Sequence, residues 1–180
     1  MKKWLCALLV LAFPFDSRAQ GRFPGLPVDS ASGKVSYSAV VPVRGTAAAN
    51  LYQRARSWAA LPVAGGHLAV AMDAPPDGRL ILRGYVRGAA GAAAPEIWRT
   101  IIVDVQEGRY QYQVSEFALV VPRMALVRQG PVEPMLRAAA PLAGATPGQR
   151  YRYLQRAVTD TTLPQIAALQ QAMATPSKAF

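Results

Sequence analysis

Cysteine and histidine are nearly absent from this chain of 180 residues, which contains one of each. The cysteine, Cys6, lies in an apolar run near the N-terminus, and the histidine is His67. A zinc site needs three or four nitrogen, sulfur or oxygen ligands. Nucleophilic catalysis needs a base beside the nucleophile. We therefore expect no disulfide, no metal site and no cofactor.

Acidic residues are also scarce, with 10 against 20 basic residues and a formal net charge of +10. Nearly all of the bases are arginine, and alanine is abundant, a pairing that a GC-rich coding bias would also produce. A basic balance favours non-specific attraction to anions but does not identify a ligand. The charge therefore leaves the partner unknown.

An apolar run long enough to span a membrane is missing. Residues 4–15 are apolar and follow Lys2 and Lys3, but a membrane-spanning helix needs about 20 residues. Ser17 and Ala19 have the spacing of a signal-peptidase site, so residues 1–19 are predicted to be a signal peptide cleaved after Ala19. We expect an exported protein, periplasmic or secreted, whose mature chain has no transmembrane segment.

Residues 20–33 are rich in proline, glycine and serine and are predicted to be a linker. Alternating residues over 34–43 predict a strand, with Pro42 favouring either an edge strand or the end of a strand. A helix is predicted over 46–60, with Thr46 as its N-cap. Its helical period places Leu51, Ala55 and Trp58 on one apolar stripe.

Arg54 and Arg56 fall on opposite flanks of that stripe, so they cannot hold one ligand from one face. We expect Arg54 to lie along the rim, with its stem on apolar surface and its charge in water.

Four further apolar runs, separated by the turns "APPDG" and "EGR", predict an antiparallel sheet. In the last of them, Tyr110, Tyr112 and Val114 share one face. The fold class is predicted to be α+β, with four or five antiparallel strands and the 46–60 helix packed on one face. Residues 34–120 form this domain.

After residue 120 the chain is punctuated by prolines, and 121–145 is predicted to be an irregular connection with one helical turn near Met135. Two C-terminal helices are then predicted within 146–175. Thr146 with Gln149, and Thr162 with Gln165, have the spacing of capping pairs.

A candidate binding face lies on the predicted strand "RLILRGYVR". Arg79, Arg83 and Arg87 share one face with Tyr85, and Arg109 is expected to lie nearby. Arginine mixed with aromatic residues is found on proteins that bind single-stranded polyanions. The favoured interpretation is a solvated sheet face on which Asp104 and Glu116 pair with arginines, and polyanion binding is the alternative.

No catalytic constellation is present in the sequence. Asp73 and Asp77 flank a turn, where aspartate is common for its local hydrogen bonds. "GAAGAAAPE" lacks the ending of a phosphate-binding loop. We therefore expect a non-catalytic exported binding or structural module of the cell envelope, with polyanion binding as the alternative. A hydrolase with His67 as base is the third hypothesis.

The segments "VPVRGTAAANLYQRARSW", "AVAMDAPPDGRLILRGYV" and "VQEGRYQYQV" together resemble DUF4468, an exported bacterial family of unknown function with a TATA-box-binding-protein-like (TBP-like) fold. The resemblance covers about residues 34–120. It departs from the family at "LPVAGGH" and in the alanine-rich connector 88–95. The residues that carry it, including the core and family markers, are Gly45, Thr46, Leu51, Tyr52, Arg54, Ala55, Trp58, Asp73, Gly78, Gly108, Arg109 and Tyr110.

The resemblance implies a TBP-like fold but no catalytic residues, because the family has no assigned function. It does not imply DNA binding either, since fold does not carry function and an exported protein would not meet a promoter. The partner classes that fit are an envelope protein and an anionic envelope component.

Overall fold

The computed structural model describes residues 23–88, 95–120, 130–138 and 146–175. The predicted signal peptide, most of the connector 88–95 and most of the predicted irregular connection lie outside the described residues. The elements, in chain order, are β1 Tyr37–Pro42, α1 Ala48–Ala59, β2 Gly66–Ala74, a 3₁₀ turn Pro75–Asp77, β3 Arg79–Arg87, β4 Glu96–Gln106, β5 Arg109–Val120, β6 Gly130–Pro131, α2 Val132–Ala138 and α3 Pro147–Ala174.

All strand pairs are antiparallel, in the order β1-β5-β4-β3-β2, and β6 also pairs with β5. Strands β2 to β5 follow one another through short connections, which favours antiparallel pairing of neighbours. The predicted α+β class is confirmed, with five long strands and one strand of two residues. The edge position predicted from Pro42 is also confirmed, since β1 lies at one end of the strand order.

The covered face of the sheet is the one on which the helices pack. Along β3, buried Leu80 and Leu82 alternate with exposed arginines. Tyr110, Tyr112 and Val114 are buried on this face of β5, as predicted. Glu116, at a bulge with φ of 55°, adds a residue to β5, so Phe117 also points to the core.

Helix α1 docks on the covered face through Leu51, Tyr52, Ala55 and Trp58. The predicted apolar stripe is confirmed and widened by Tyr52. Burial of large side chains is the main stabilising contribution, about 1.5–3 kcal/mol for each.

The N-terminus of α1 differs from the prediction that Thr46 caps it. The N-cap is Ala47, which makes no side-chain cap bond. The backbone N–H of Ala48 instead donates to Glu107 Oε2, 3.0 Å away in the β4–β5 turn, and the carbonyl of Thr46 accepts from Gly108 N. A glutamate from a distant turn therefore satisfies a donor that the local sequence leaves open.

Helix α3 is one continuous helix of 28 residues, where two helices were predicted. The capping box of Thr146 and Gln149 is confirmed. The second predicted cap, Thr162, is instead buried inside the helix, and Pro164 lies within it as well. Because proline has no N–H, it removes one backbone hydrogen bond from the helix interior.

Arg99 on β4 supports α3 at this point. Its Nη1 donates to the carbonyl oxygen of Thr161 at 2.7 Å and to Thr162 Oγ1 at 3.1 Å. Burial lowers the pKa of Arg99 to about 10. The side chain thus joins β4 to α3 in the turn that precedes Pro164.

The predicted linker 20–33 is packed in its described part. Phe23 and Leu26 are almost fully buried, and Val28 forms a β-bridge with Val35. The N–H of Val35 donates to the buried Glu133 Oε1 on α2 at 2.9 Å. This α2 helix is longer than the single turn predicted near Met135, and it anchors the N-terminal segment to the core.

Candidate binding face

None of the described helices packs on the second face of the sheet, which we call the open face. Its side chains alternate with core residues along β3, β4 and β5, and the register sets them in cross-strand rows. The predicted candidate residues Arg79, Arg83, Tyr85, Arg87 and Arg109 all lie on it. On the three central strands the members of the open face are Arg79, Ile81, Arg83, Tyr85, Arg87, Glu96, Trp98, Thr100, Ile102, Asp104, Gln106, Arg109, Gln111, Gln113, Ser115, Glu116, Ala118 and Val120.

Arginines at the two ends of β3 pair with carboxylates on β4. Arg79 Nε and Nη2 donate to the two oxygens of Asp104 at 2.6 and 3.0 Å. Hydrogen bonding to Asp104 raises the pKa of Arg79. At the other end, Arg87 Nη2 lies 3.1 Å from Glu96 Oε1. Each pair joins residues that are directly opposite in the register.

The middle arginine pairs with the carboxylate at the β5 bulge. Arg83 Nη2 lies 2.9 Å from Glu116 Oε2, and Thr100 Oγ1 donates to the same oxygen at 2.6 Å. The Thr100 hydroxyl and the Arg83 guanidinium hold the pKa of Glu116 below its usual range. The positive φ of Glu116 thus turns a carboxylate onto the open face.

An aromatic pair lies between these ion pairs. The rings of Tyr85 and Trp98, opposite residues on β3 and β4, have centroids 5.1 Å apart and an interplanar angle of 40°. The guanidinium carbon of Arg87 lies 5.5 Å from the Tyr85 ring centroid, within cation–π range. Trp98 keeps 36% of its surface exposed. This pair forms an aromatic platform open to solvent.

The charge of the open face is almost balanced. Asp104 and Glu116, the ion-pair partners predicted from the sequence, pair with Arg79 and Arg83. Arg109 differs, since its Nε donates to the Gln106 amide oxygen at 2.8 Å. The predicted pairing of Asp104 and Glu116 with arginines of this face is therefore confirmed.

The core and family markers serve the fold rather than the open face. Gly78 and Gly108 take positive φ values of 64° and 69° in the turns before β3 and β5, a conformation that favours glycine. The remaining markers are buried on the covered face: Leu51, Tyr52, Ala55, Trp58 and Tyr110.

Asp73 and His67 lie on β2 but do not form a catalytic pair. Asp73 Oδ1 accepts a hydrogen bond from the hydroxyl of Tyr52, and Asp73 Oδ2 pairs with Arg56 Nε at 3.0 Å. His67 is exposed and, among the described residues, has no hydrogen-bonding partner. Asp73 therefore joins α1 to β2, which is a structural role.

Two residues that the sequence interpretation did not single out contribute to this arrangement: Trp98 and Arg99. Trp98 alternates with Ile97 and Arg99, so period two alone would have placed it on the open face. The buried position of Arg99 has no such signal, because arginine on a strand is ordinarily solvated.

Neither a metal cluster nor a membrane-spanning helix is found within the described ranges. They hold no group of three or more histidine, cysteine or carboxylate residues placed to bind a metal ion. None of their helices is both long and apolar enough to cross a bilayer. A cavity of about 100 Å³ lies beside Trp58, Leu61 and Leu68, on the covered side of β2.

No family model and no curated protein matches the chain in sequence. Solved structures do match. A TBP-like protein from Parabacteroides distasonis has a TM-score of 0.67 at 12% identity, covering 85% of this chain and 99% of its own. A DUF4468 family protein from Bacteroides ovatus has a TM-score of 0.63 at 12% identity, covering 89% of this chain and 98% of its own.

The similarity extends beyond residues 34–120, which make up less than half of the chain. The predicted TBP-like fold, which the resemblance to DUF4468 implied, is confirmed.

Proposed function

We propose that this protein is a non-catalytic binding module, exported to the cell envelope, that recognises a protein partner through the open face. One observation carries the proposal. The helices that the structure describes leave one sheet face uncovered, and its centre presents the Tyr85–Trp98 platform between ion pairs. Aromatic residues and arginine are the residue types enriched at protein interfaces.

The charge balance favours a protein partner over a polyanion. Arg79, Arg83 and Arg87 each have a carboxylate within 3.1 Å, so their charges are largely neutralised. A polyanion would have to compete with these carboxylates. The alternative of polyanion binding keeps one supporting observation, which is Arg109 with an amide rather than an acid as partner.

The sequence of residues 1–19 supports export. The surroundings of the His67 side chain support a non-catalytic role. A histidine acting as base needs a nucleophile and an orienting group within hydrogen-bond reach. His67 has neither among the described residues. The hydrolase hypothesis would require His67→Ala to abolish a turnover that the wild-type protein performs.

A binding experiment with matched variants tests the proposed face. The wild-type protein, Trp98→Ala and Tyr153→Ala are immobilised, exposed to solubilised envelope proteins and washed at low and high salt. Tyr153 is a suitable control because it lies on α3 and is 38% exposed, close to the 36% of Trp98. We expect a salt-resistant partner that Trp98→Ala loses and Tyr153→Ala retains.

Other results of the same experiment contradict the proposal. Equal loss in both variants would place the interaction elsewhere. A partner that is anionic and released by salt would favour the polyanion alternative. Export is tested separately by fractionation and by the mass of the purified mature chain, which is expected to begin at Gln20.

A further inference from the structure

Strand β2 leaves one edge of the sheet without a partner among the described strands. It ends the strand order and pairs only with β3. Unpaired N–H and C=O groups at such an edge are a template for another strand. The other end of the sheet is β1, which is shorter and contains Pro42. Lys34 and Arg44 flank β1, and proline and basic residues are features that discourage strand addition.

Residues 66–70 of β2 contain no proline, lysine or arginine, and apolar surface is concentrated around this strand. Among the described residues, seven large apolar side chains are exposed, and Val70, Met72 and Leu61 lie on β2 or in the loop before it. Leu61 is 60% exposed and Val70 is 50% exposed. Leu61 also lines the cavity of about 100 Å³ that borders Leu68. Free backbone and apolar side chains thus occupy the same edge.

We infer that β2 pairs with β2 of a second copy of this chain, antiparallel about a two-fold axis at Leu68. The regular part of the strand, 66–70, precedes the bulge between Val70 and Met72 and supplies the pairing. An axis at Leu68 sets Val70 opposite Gly66, which has no side chain to obstruct it. It also keeps the helices of both copies on one side of a continuous sheet, so Leu61 of each copy approaches the joint.

Charge supports a second copy as the occupant of this edge. Residues 66–70 carry no formal charge, although the chain as a whole carries +10. The carboxylate of Asp73, further along β2, is paired with Arg56 of its own chain. In an isologous interface a residue that contacts a second residue is contacted in turn by its counterpart, so Gly66 faces Val70, His67 faces Ala69 and Leu68 faces itself. Self-pairing here therefore brings no like charges together.

The size of the contact predicts a weak dimer. A strand pairing of five residues, with few apolar side chains beside it, buries less surface than the roughly 800 Å² per partner of a stable interface. The dimer should therefore form and dissociate with concentration. Because this contact uses the sheet edge, Trp98→Ala on the open face is expected to leave it unchanged.

Sedimentation velocity of the purified protein over a range of concentrations tests the inference. We expect a monomer–dimer equilibrium that Val70→Lys weakens by roughly tenfold or more, because it puts a charged lysine within the paired segment of each copy, and lysine on an edge strand discourages strand pairing. Val40→Lys is the control. Val40 is 59% exposed on the opposite edge strand, and its substitution by lysine adds the same charge. A monomer at every concentration, or equal weakening by both variants, would overturn the inference.

A cysteine cross-link tests the register independently. In a Cys6→Ser background, Leu68→Cys is expected to form an intermolecular disulfide under mild oxidation, because the axis sets residue 68 opposite itself. Val40→Cys, in the same background, is expected to remain unlinked. Circular dichroism verifies that both variants fold. Cross-linking at residue 40 and not at 68 would contradict the proposed pairing.

Discussion

The guanidinium of Arg54 on α1 donates from Nη1 to the carbonyl oxygen of Met173, 2.6 Å away near the C-terminus of α3. The last carbonyl groups of a helix have no intrahelical donor, and a cation is favourable there. The sequence interpretation placed the charge of Arg54 in water, which is wrong because α3 crosses α1 at this point. Arg54 instead joins the two helices.

Arg54→Met is therefore expected to cost about 1.5–3 kcal/mol of unfolding free energy, the contribution of a hydrogen bond to a charged group. Arg56→Met is the matched control, because Arg56 makes a half-exposed ion pair with Asp73. Such pairs contribute about 0–1 kcal/mol. Urea unfolding of the two variants measures both values, and equal losses would contradict the helix-joining role of Arg54.

Variants of Trp58 and Trp98 are expected to separate stability from binding. Trp58 is buried in the core, so Trp58→Ala should cost about 3–5 kcal/mol. Trp98 lies on the open face, and Trp98→Ala should cost about 1 kcal/mol, the typical value of an aromatic pair. Chemical denaturation checks this order. A Trp98 loss as large as that of Trp58 would mean that Trp98 belongs to the core.

Two buried tyrosines make the stability sensitive to alkaline pH. Burial raises the pKa of Tyr110 to about 12, and burial with the Asp73 hydrogen bond raises the pKa of Tyr52 to about 12. In the unfolded chain both tyrosines have a pKa of about 10. The unfolded state therefore loses protons first, and stability present below pH 10 should fall by about 2–3 kcal/mol per tyrosine as pH rises towards 12.

Phenylalanine substitutions distinguish the two tyrosines. The hydroxyl of Tyr110 has no hydrogen-bond partner within the described residues, so Tyr110→Phe should be neutral or stabilising at pH 7. Tyr52→Phe removes hydrogen bonds to Asp73 and to the Arg79 carbonyl and should cost about 1 kcal/mol. Both variants should show a smaller alkaline loss than the wild type, measured by urea unfolding at pH 8 and pH 11.

Two marker glycines differ in their surroundings, although both have positive φ. A Cβ at Gly78 would lie 2.5 Å from the carbonyl oxygen of Val105, whereas a Cβ at Gly108 would meet nothing within 4 Å. Gly108→Ala should therefore cost only the left-handed strain of about 1–2 kcal/mol. Gly78→Ala should cost roughly 1–3 kcal/mol more, because backbone must move. Thermal unfolding of both variants checks this difference.

Salt-dependent retention on a sulfated polysaccharide column tests the polyanion alternative. Arg83 is paired with Glu116, whereas Arg44 is exposed in the loop after β1. If the open face does not bind polyanions, Arg83→Gln and Arg44→Gln should lower the salt concentration needed for elution by the same amount, because each substitution removes one positive charge. A much larger decrease for Arg83→Gln would support the polyanion alternative.

The alternation of apolar and polar residues predicted the strands and the docking stripe of α1 correctly. Periodicity is a local signal, and Leu51, Ala55 and Trp58 are close enough in sequence to report it. The outward position of Asp104 also followed from period two. Glu116 has the parity of the buried Tyr110 and Val114, and only the bulge brings its carboxylate to the open face. The register of the ion pairs was not available from the sequence, since it depends on the turns and on the bulge at Glu116.

The predictions that failed concern residues whose partners are distant in the chain. Thr46 has the side chain of a good N-cap, but its backbone is used by the turn at Gly108, and Glu107 satisfies the helix instead. Thr162 resembles a second cap, but Arg99 from β4 supplies a donor beside Pro164. In both cases a long-range hydrogen bond outweighs the local preference.

The sequence by itself determined which residues turn inward, where the chain turns and which common catalytic groups it lacks, because these depend on residue type and on spacing within a few positions. Tertiary structure alone decided that Arg99 is buried, that Arg54 reaches Met173 and that one face of the sheet remains open. Those features depend on how α1 and α3 pack against the same side of the sheet. Packing determines which polar groups lose contact with water, and a buried polar group can then form hydrogen bonds only with the groups that the fold places near it.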